Sequence, residues 1–191
     1  MIAHALTAED LVELAERDWS DGGLDRRVAD GLSSAEHVAD VKAEMPSPRV
    51  VEVAPADIIF HDEIAFDLGG VTVRVHHIGG DHSADSCVMY VEPDGVLFMG
   101  DCLSASSDGV MTSESASRLR EVILGSVAEH YVEGHHDSVS SRMEIEELFE
   151  KIQLAERAVR QELVIESPDE DTEYFIAAFK AGTAATRGVF E

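Results

Sequence analysis

Two short apolar runs lie close together in the middle of the chain. Ser86 to Val91 is one and Val96 to Met99 is the other. Glu92-Pro93-Asp94-Gly95 separates them and carries the residues of a tight turn. The pattern predicts a hairpin. Both runs are apolar at nearly every position, so both faces of the strands are expected to be covered. A second hairpin is predicted from Glu63–Leu68 and Val71–His76, joined at Gly69-Gly70, and Val50–Val53 reads as a short strand. His130–Val132 reads as another, running into Glu133-Gly134-His135-His136-Asp137.

Helical spacing fills the rest. Thr7-Ala8-Glu9-Asp10 reads as a capped helix start, with Gly22-Gly23 beyond the end. Ser33-Ser34-Ala35-Glu36 opens a second helix that must end near Pro46. Glu114–Leu124 is a third, with Gly125 as its stop. Residues 140–163 form a long helix, with Ile145, Leu148, Ile152, Ala155 and Val159 as its apolar stripe. Pro168 breaks it, and Glu173–Ala181 is a last helix stopped by Gly182. The class expected is α/β, in one domain over residues 1–191 with a C-terminal helical extension from residue 164.

Charge narrows the partners. Fourteen basic residues against 39 acidic ones give a net charge of −25. Such a surface repels nucleic acid and anionic membranes, so neither is an expected partner. The acids are spread along the chain, which suits a solubility device better than a patch for a basic partner. No run approaches the ~18 apolar residues of a membrane span. The first residues, MIAHALTAED, lack the basic-then-apolar order of a signal peptide, and the expected location is cytoplasmic. Cys87 and Cys102 are too few for a disulfide framework and read as packed, free thiols.

The chemistry lies just outside the strand ends. His82 precedes one strand of the central hairpin and Asp101 follows the other; folding at the turn brings these ends together. Imidazole nitrogen and carboxylate oxygen both suit a divalent cation such as zinc. His135 is a third candidate, with His136 as neighbour and competitor. A glycine beside a ligand lets the backbone turn and leaves room for an ion. The bland alternative is a set of hydrogen-bonded residues, with Asp101 capping a turn.

The stretch GGDHSADSCVMYVEPDGVLFMGDCL resembles the third and fourth motifs of the metallo-β-lactamase superfamily, and VEGHHD resembles the fifth. FDLGGVTVRVHHI is similar to the hairpin leading into the third motif, and IAHALTAEDL to the strand and helix after the second. The resemblance implies a partial αββα sandwich and a metal-dependent hydrolase acting on a small-molecule substrate. His82 would then ligate a first metal, Asp101 would bridge two and serve catalysis, and His135 would ligate the second. The cofactor implied is zinc. Ser83 and Asp85 are candidates to orient the imidazoles, and Cys102 could touch the site or simply pack. The family's His-x-His-x-Asp-His motif is absent, and is expected just before residue 1 together with the first strands. The chain as given is therefore expected to bind metal weakly and to be inactive. A homodimer or an N-terminal complementing segment would cover the sheet left open. The alternative function is a non-catalytic remnant acting as a binding module.

Overall fold

The computed structural model describes residues 1–188, with side chains described to residue 184. Residues 189–191 of the expected C-terminal extension lie outside the described residues. The chain divides into two compact units, Met1–Phe60 and His61–Glu191.

In the first unit, β1 (Ile2–His4) pairs in parallel with β2 (Ile58–Phe60). Three helices lie between them: α1 (Ala5–Glu16), α2 (Asp21–Ala29) and α3 (Ala35–Glu44). The helix expected from Thr7 starts two residues earlier, because the His4 side chain accepts the Leu6 amide and serves as the cap. α2 was not expected. Ser20 caps it by accepting the Gly23 amide, so Gly22-Gly23 opens a helix here instead of closing one. α3 follows its Ser34 cap as predicted. Val50–Val53 is not a strand: Val50 is 83% exposed, and the strand falls instead at Ile58–Phe60, which pairs with Ile2–His4.

The second unit holds a six-stranded sheet in the order β3-β4-β5-β6-β7-β8. Its strands are β3 (Glu63–Asp67), β4 (Thr72–His77), β5 (Cys87–Glu92), β6 (Val96–Gly100), β7 (His130–Glu133) and β8 (Val139–Ser141). Both predicted hairpins form, as β3–β4 and β5–β6. β6 and β7 pair in parallel through α4 (Ser113–Gly125). β8 was read as the start of a helix; that helix, α5 (Arg142–Arg160), begins after a capping box between Ser141 and Glu144. α6 (Glu170–Gly188) runs through Gly182, which does not stop it. A Cβ on Gly182 would lie 2.4 Å from the Met111 carbonyl oxygen, so close approach explains the glycine.

One face of this sheet carries the core. Tyr90, Leu97 and Tyr131 are cross-strand partners there. Leu97 and Tyr131 pack with Leu119 and Ile123 of α4, Ile145, Phe149 and Ile152 of α5, and Phe175 and Phe179 of α6, and Tyr90 lies against them. The opposite face is an apolar row across all six strands, Ile64–Val75–Met89–Phe98–Val132–Val139. It is not fully covered, contrary to expectation: Met89 is 42% exposed and Phe98 38%. The helices that build the core all lie against the other face. No helix among the described residues is long and apolar enough to cross a membrane.

The last two helices are tied by charge. Lys151 on α5 reaches Asp169 at 2.8 Å and Asp171 at 2.6 Å. The Lys151 hydrogen bond, with those from Thr172, holds the Asp169 carboxyl well below its ordinary range, and Asp169 and Asp171 push the Lys151 ammonium above its own. A depressed carboxyl contributes stability above its unfolded pKa and loses it as pH falls through the folded value. The lysine's contribution is present below its unfolded pKa and goes as pH rises through the folded one. The tie is therefore expected to contribute fully between about pH 5 and 10, to begin weakening below about pH 4, and to be lost only as pH falls through the lowered Asp169 value. Urea midpoints measured from pH 7 to 2 should fall less steeply at the acid end in Asp169→Asn than in the parent chain. Equal acid slopes in the two would contradict the assignment.

Candidate metal centre

The site is assembled at the C-terminal ends of the parallel pair. The register between β6 and β7 shifts between Phe98 and Gly100, so that Gly100 lies opposite Glu133. Gly100 adopts φ +55, a conformation that costs a residue with a side chain. The irregularity turns the chain at Gly100, and Asp101 follows it. The Gly134 amide then donates to the Gly100 carbonyl at 2.8 Å, fixing the strand ends against each other.

Gly134 is the close-approach residue. A Cβ there would lie 2.0 Å from Asp101 Oδ1 and 2.9 Å from its Cγ. The carboxylate thus occupies the space a side chain would need. The next residue, His135, has φ +62, a left-handed conformation that histidine enters more readily than most residues. Its imidazole is 87% exposed and reaches back to the carboxylate.

His82 comes from the loop before β5. That loop is closed by Ile78 and Gly79 amides donating to the Ser86 carbonyl at 2.9 and 3.0 Å. It is anchored to the start of α4, where the Thr112 amide donates to Asp81 at 2.6 Å and the Asp81 amide to Ser115 Oγ at 3.1 Å. His82 Nδ1 lies 3.1 Å from the Ala105 carbonyl oxygen. A carbonyl only accepts, so Nδ1 carries the proton and Nε2 presents a lone pair.

Asp101 Oδ2 lies 3.4 Å from His135 Nε2 and 3.8 Å from His82 Nε2. The longer contact is beyond a hydrogen bond. Two donors on one tetrahedral zinc, each ~2.0–2.1 Å away, stand about 3.3 Å apart. The two edges therefore suit donors that share a cation. Yet among the described residues no three His, Cys, Asp or Glu side chains close into a group that could hold a metal ion by themselves. The donors are of the kinds that bind a divalent cation, as an open and partial set.

The other candidates fall around this set. Ser83 donates to the Asp85 carboxylate. His136 sits 3.6 Å from Glu133 and lines, with Leu103, Ser104, Lys151 and Tyr174, a cavity of about 490 Å³. Burial pushes the Glu133 carboxyl above its ordinary range, while His136 acts to lower it. Cys102 is buried in the core, where burial and the Glu133 and Asp101 charges push its thiol up to about 12. It packs and stays protonated. Cys87 opens β5 half-buried, its thiol raised by burial and by Asp85. The Ala105 carbonyl had no counterpart in the sequence reading, since a backbone acceptor is independent of residue type.

No family model and no curated protein matches the chain. Solved structures do. A metallo-β-lactamase from Pontibacter korlensis is 20% identical, with 70% of this chain and 65% of that one covered and a TM-score of 0.37. A metallo-β-lactamase family protein from Thermus thermophilus is 19% identical, covering 87% and 63%, with a TM-score of 0.42. An inverting sec-alkylsulfatase from a Pseudomonas species is 11% identical, covering 71% and 27%, with a TM-score of 0.43. The chain spans less than two thirds of the length of each. Each of these likenesses is partial and at low identity.

Proposed function

We propose that this chain carries part of the divalent-metal centre of a metallo-β-lactamase-type hydrolase. Zinc is the proposed cation, and a small ester, lactone, thioester, amide or phosphodiester the proposed substrate. The observation that carries the reading is the Asp101 carboxylate set between two imidazole nitrogens, at 3.4 and 3.8 Å. A divalent cation, when bound, lowers the pKa of water to near neutrality and stabilises charge that develops on the scissile group. The rest falls to the chain's own residues. His82 offers Nε2 because Ala105 holds its Nδ1 proton. Asp101 supplies the negative charge that both imidazoles lack, and His135, largely exposed, faces the solvent from which substrate arrives.

A second reading is a non-catalytic metal-binding module. One carboxylate and two imidazoles are donors enough for one cation at most and too few for a pair, which favours it. Calorimetric zinc titration and hydrolysis assays separate the two. The chain alone should bind zinc weakly and hydrolyse little, and Asp101→Ala should abolish the binding. Adding a segment that bears His-x-His-x-Asp-His should restore tight binding and turnover under the first reading, and binding alone under the second. Zinc uptake that Asp101→Ala leaves unchanged would remove both.

A further inference from the structure

A path of hydrogen bonds leads from His82 to the last helix. Ala105 uses both of its backbone groups. Its carbonyl faces His82 Nδ1 at 3.1 Å, and its amide donates to the Tyr174 hydroxyl at 2.8 Å. Ala105 is 6% exposed, so its amide needs a protein acceptor. Tyr174 stands on α6, 69 residues further along the chain. α6 is itself held. Thr172 is tied to Asp169, Lys151 grips Asp171, and the Met111 amide donates to the Ala178 carbonyl. The Tyr174 ring meets buried Phe175 edge-on at 5.2 Å.

We propose that Tyr174 is a positioning residue for His82. Its hydroxyl clamps the Ala105 amide while the Ser106 amide, donating to the Val110 carbonyl at 3.0 Å, holds the next peptide; together they place the Ala105 carbonyl that keeps the imidazole in the Nδ1–H tautomer with Nε2 toward Asp101. The inference rests on His82 and Asp101 being metal donors for its functional meaning. The positioning itself is measurable without metal. Loss of the hydroxyl leaves the buried Ala105 amide unpaired, and a loop that shifts to satisfy it carries the Ala105 carbonyl away from the His82 ring nitrogen it selects.

The test is long-range proton–nitrogen correlation NMR on the metal-free chain with ¹⁵N-labelled histidine, at pH 8. In the parent chain His82 should show the Nδ1–H tautomer. In Tyr174→Phe, which keeps the ring, the His82 pattern should move toward the Nε2–H form, while exposed His37 stays as it was. Tyr174→His, which restores a ring acceptor, should recover part of the parent pattern. Zinc affinity in Tyr174→Phe should fall about tenfold, the lower end of the range for groups that orient a ligand. An unchanged His82 tautomer in a folded Tyr174→Phe chain would overturn the proposal. If Tyr174→Phe does not fold, Tyr174→His carries the test: a His82 pattern between the two tautomers with faster Ala105 amide exchange than in the parent supports the clamp, and faster Ala105 exchange with the parent tautomer fully retained overturns it. A tautomer shift accompanied by no zinc binding in any form would leave the clamp standing and sink the metal reading.

Discussion

Gly134→Ala should eliminate measurable zinc binding while leaving the chain folded. The added Cβ would stand 2.0 Å from Asp101 Oδ1, well inside any real contact. It would also meet the Gly100 carbonyl carbon at 3.1 Å, so the strand end has little freedom to retreat. The carboxylate is the softer partner and should rotate away. Its 3.4 and 3.8 Å edges with His135 and His82 are then lost together. Losing the orientation of a ligand costs about 10–100-fold in metal affinity, enough to take a weak site below detection. The cause can be isolated by a double-mutant cycle. In an Asp101→Ala background the space is empty, so Gly134→Ala should there cost little further stability. Thermal melts of the four chains, with zinc titration of the two that keep Asp101, check this. Additive losses in the two backgrounds would mean that the clash with Asp101 is not what matters.

Phe149→Ala should produce the largest loss of stability. The ring is 1% exposed and packs within the core between the sheet and the helices. Emptying a buried phenylalanine site costs about 3–5 kcal/mol, against a total stability of about 5–15 kcal/mol for a typical domain. Met89→Ala is the contrasting case. Met89 lies on the opposite, partly open face, where truncation removes less buried surface. Urea unfolding followed in both chains should show a large shift of the midpoint for Phe149→Ala and a small one for Met89→Ala. Equal shifts would mean that the two faces of the sheet are equally buried.

Local signals explain what was readable. Both hairpins were legible because their turns, Gly69-Gly70 and Pro93-Asp94-Gly95, lie between apolar runs. α3 was legible from Ser34, and the stripe on α5 from Ile145, Ile152 and Ala155. The misses depend on distant partners. Ile58–Phe60 becomes a strand because Ile2–His4 lies beside it, while the equally apolar Val50–Val53 is not one. Gly182 looked like a helix stop and is instead a place where α6 passes close to Met111. At the site, His82, Asp101 and His135 were visible because histidine and aspartate at the ends of apolar strands are conspicuous. The Ala105 carbonyl and Tyr174 were not, since the first is backbone and the second is brought in by tertiary folding. Gly134 was half-read: the sequence suggested room for an ion, whereas the space holds the Asp101 carboxylate itself.

The parallel pairing of β6 with β7 has a kinetic consequence. The hairpins on either side can close within microseconds, from residues a few positions apart. The parallel pair must wait for the whole crossover through α4 to be gathered first, which makes it a late contact. Asp101 and His135 stand at the end of that late contact. Were a cation shared between them, as proposed, it would act as a latch fitted after the frame has closed. It should slow the opening of the folded chain and leave the rate of its formation nearly unchanged, because bonds absent from the transition state appear only in the unfolding limb.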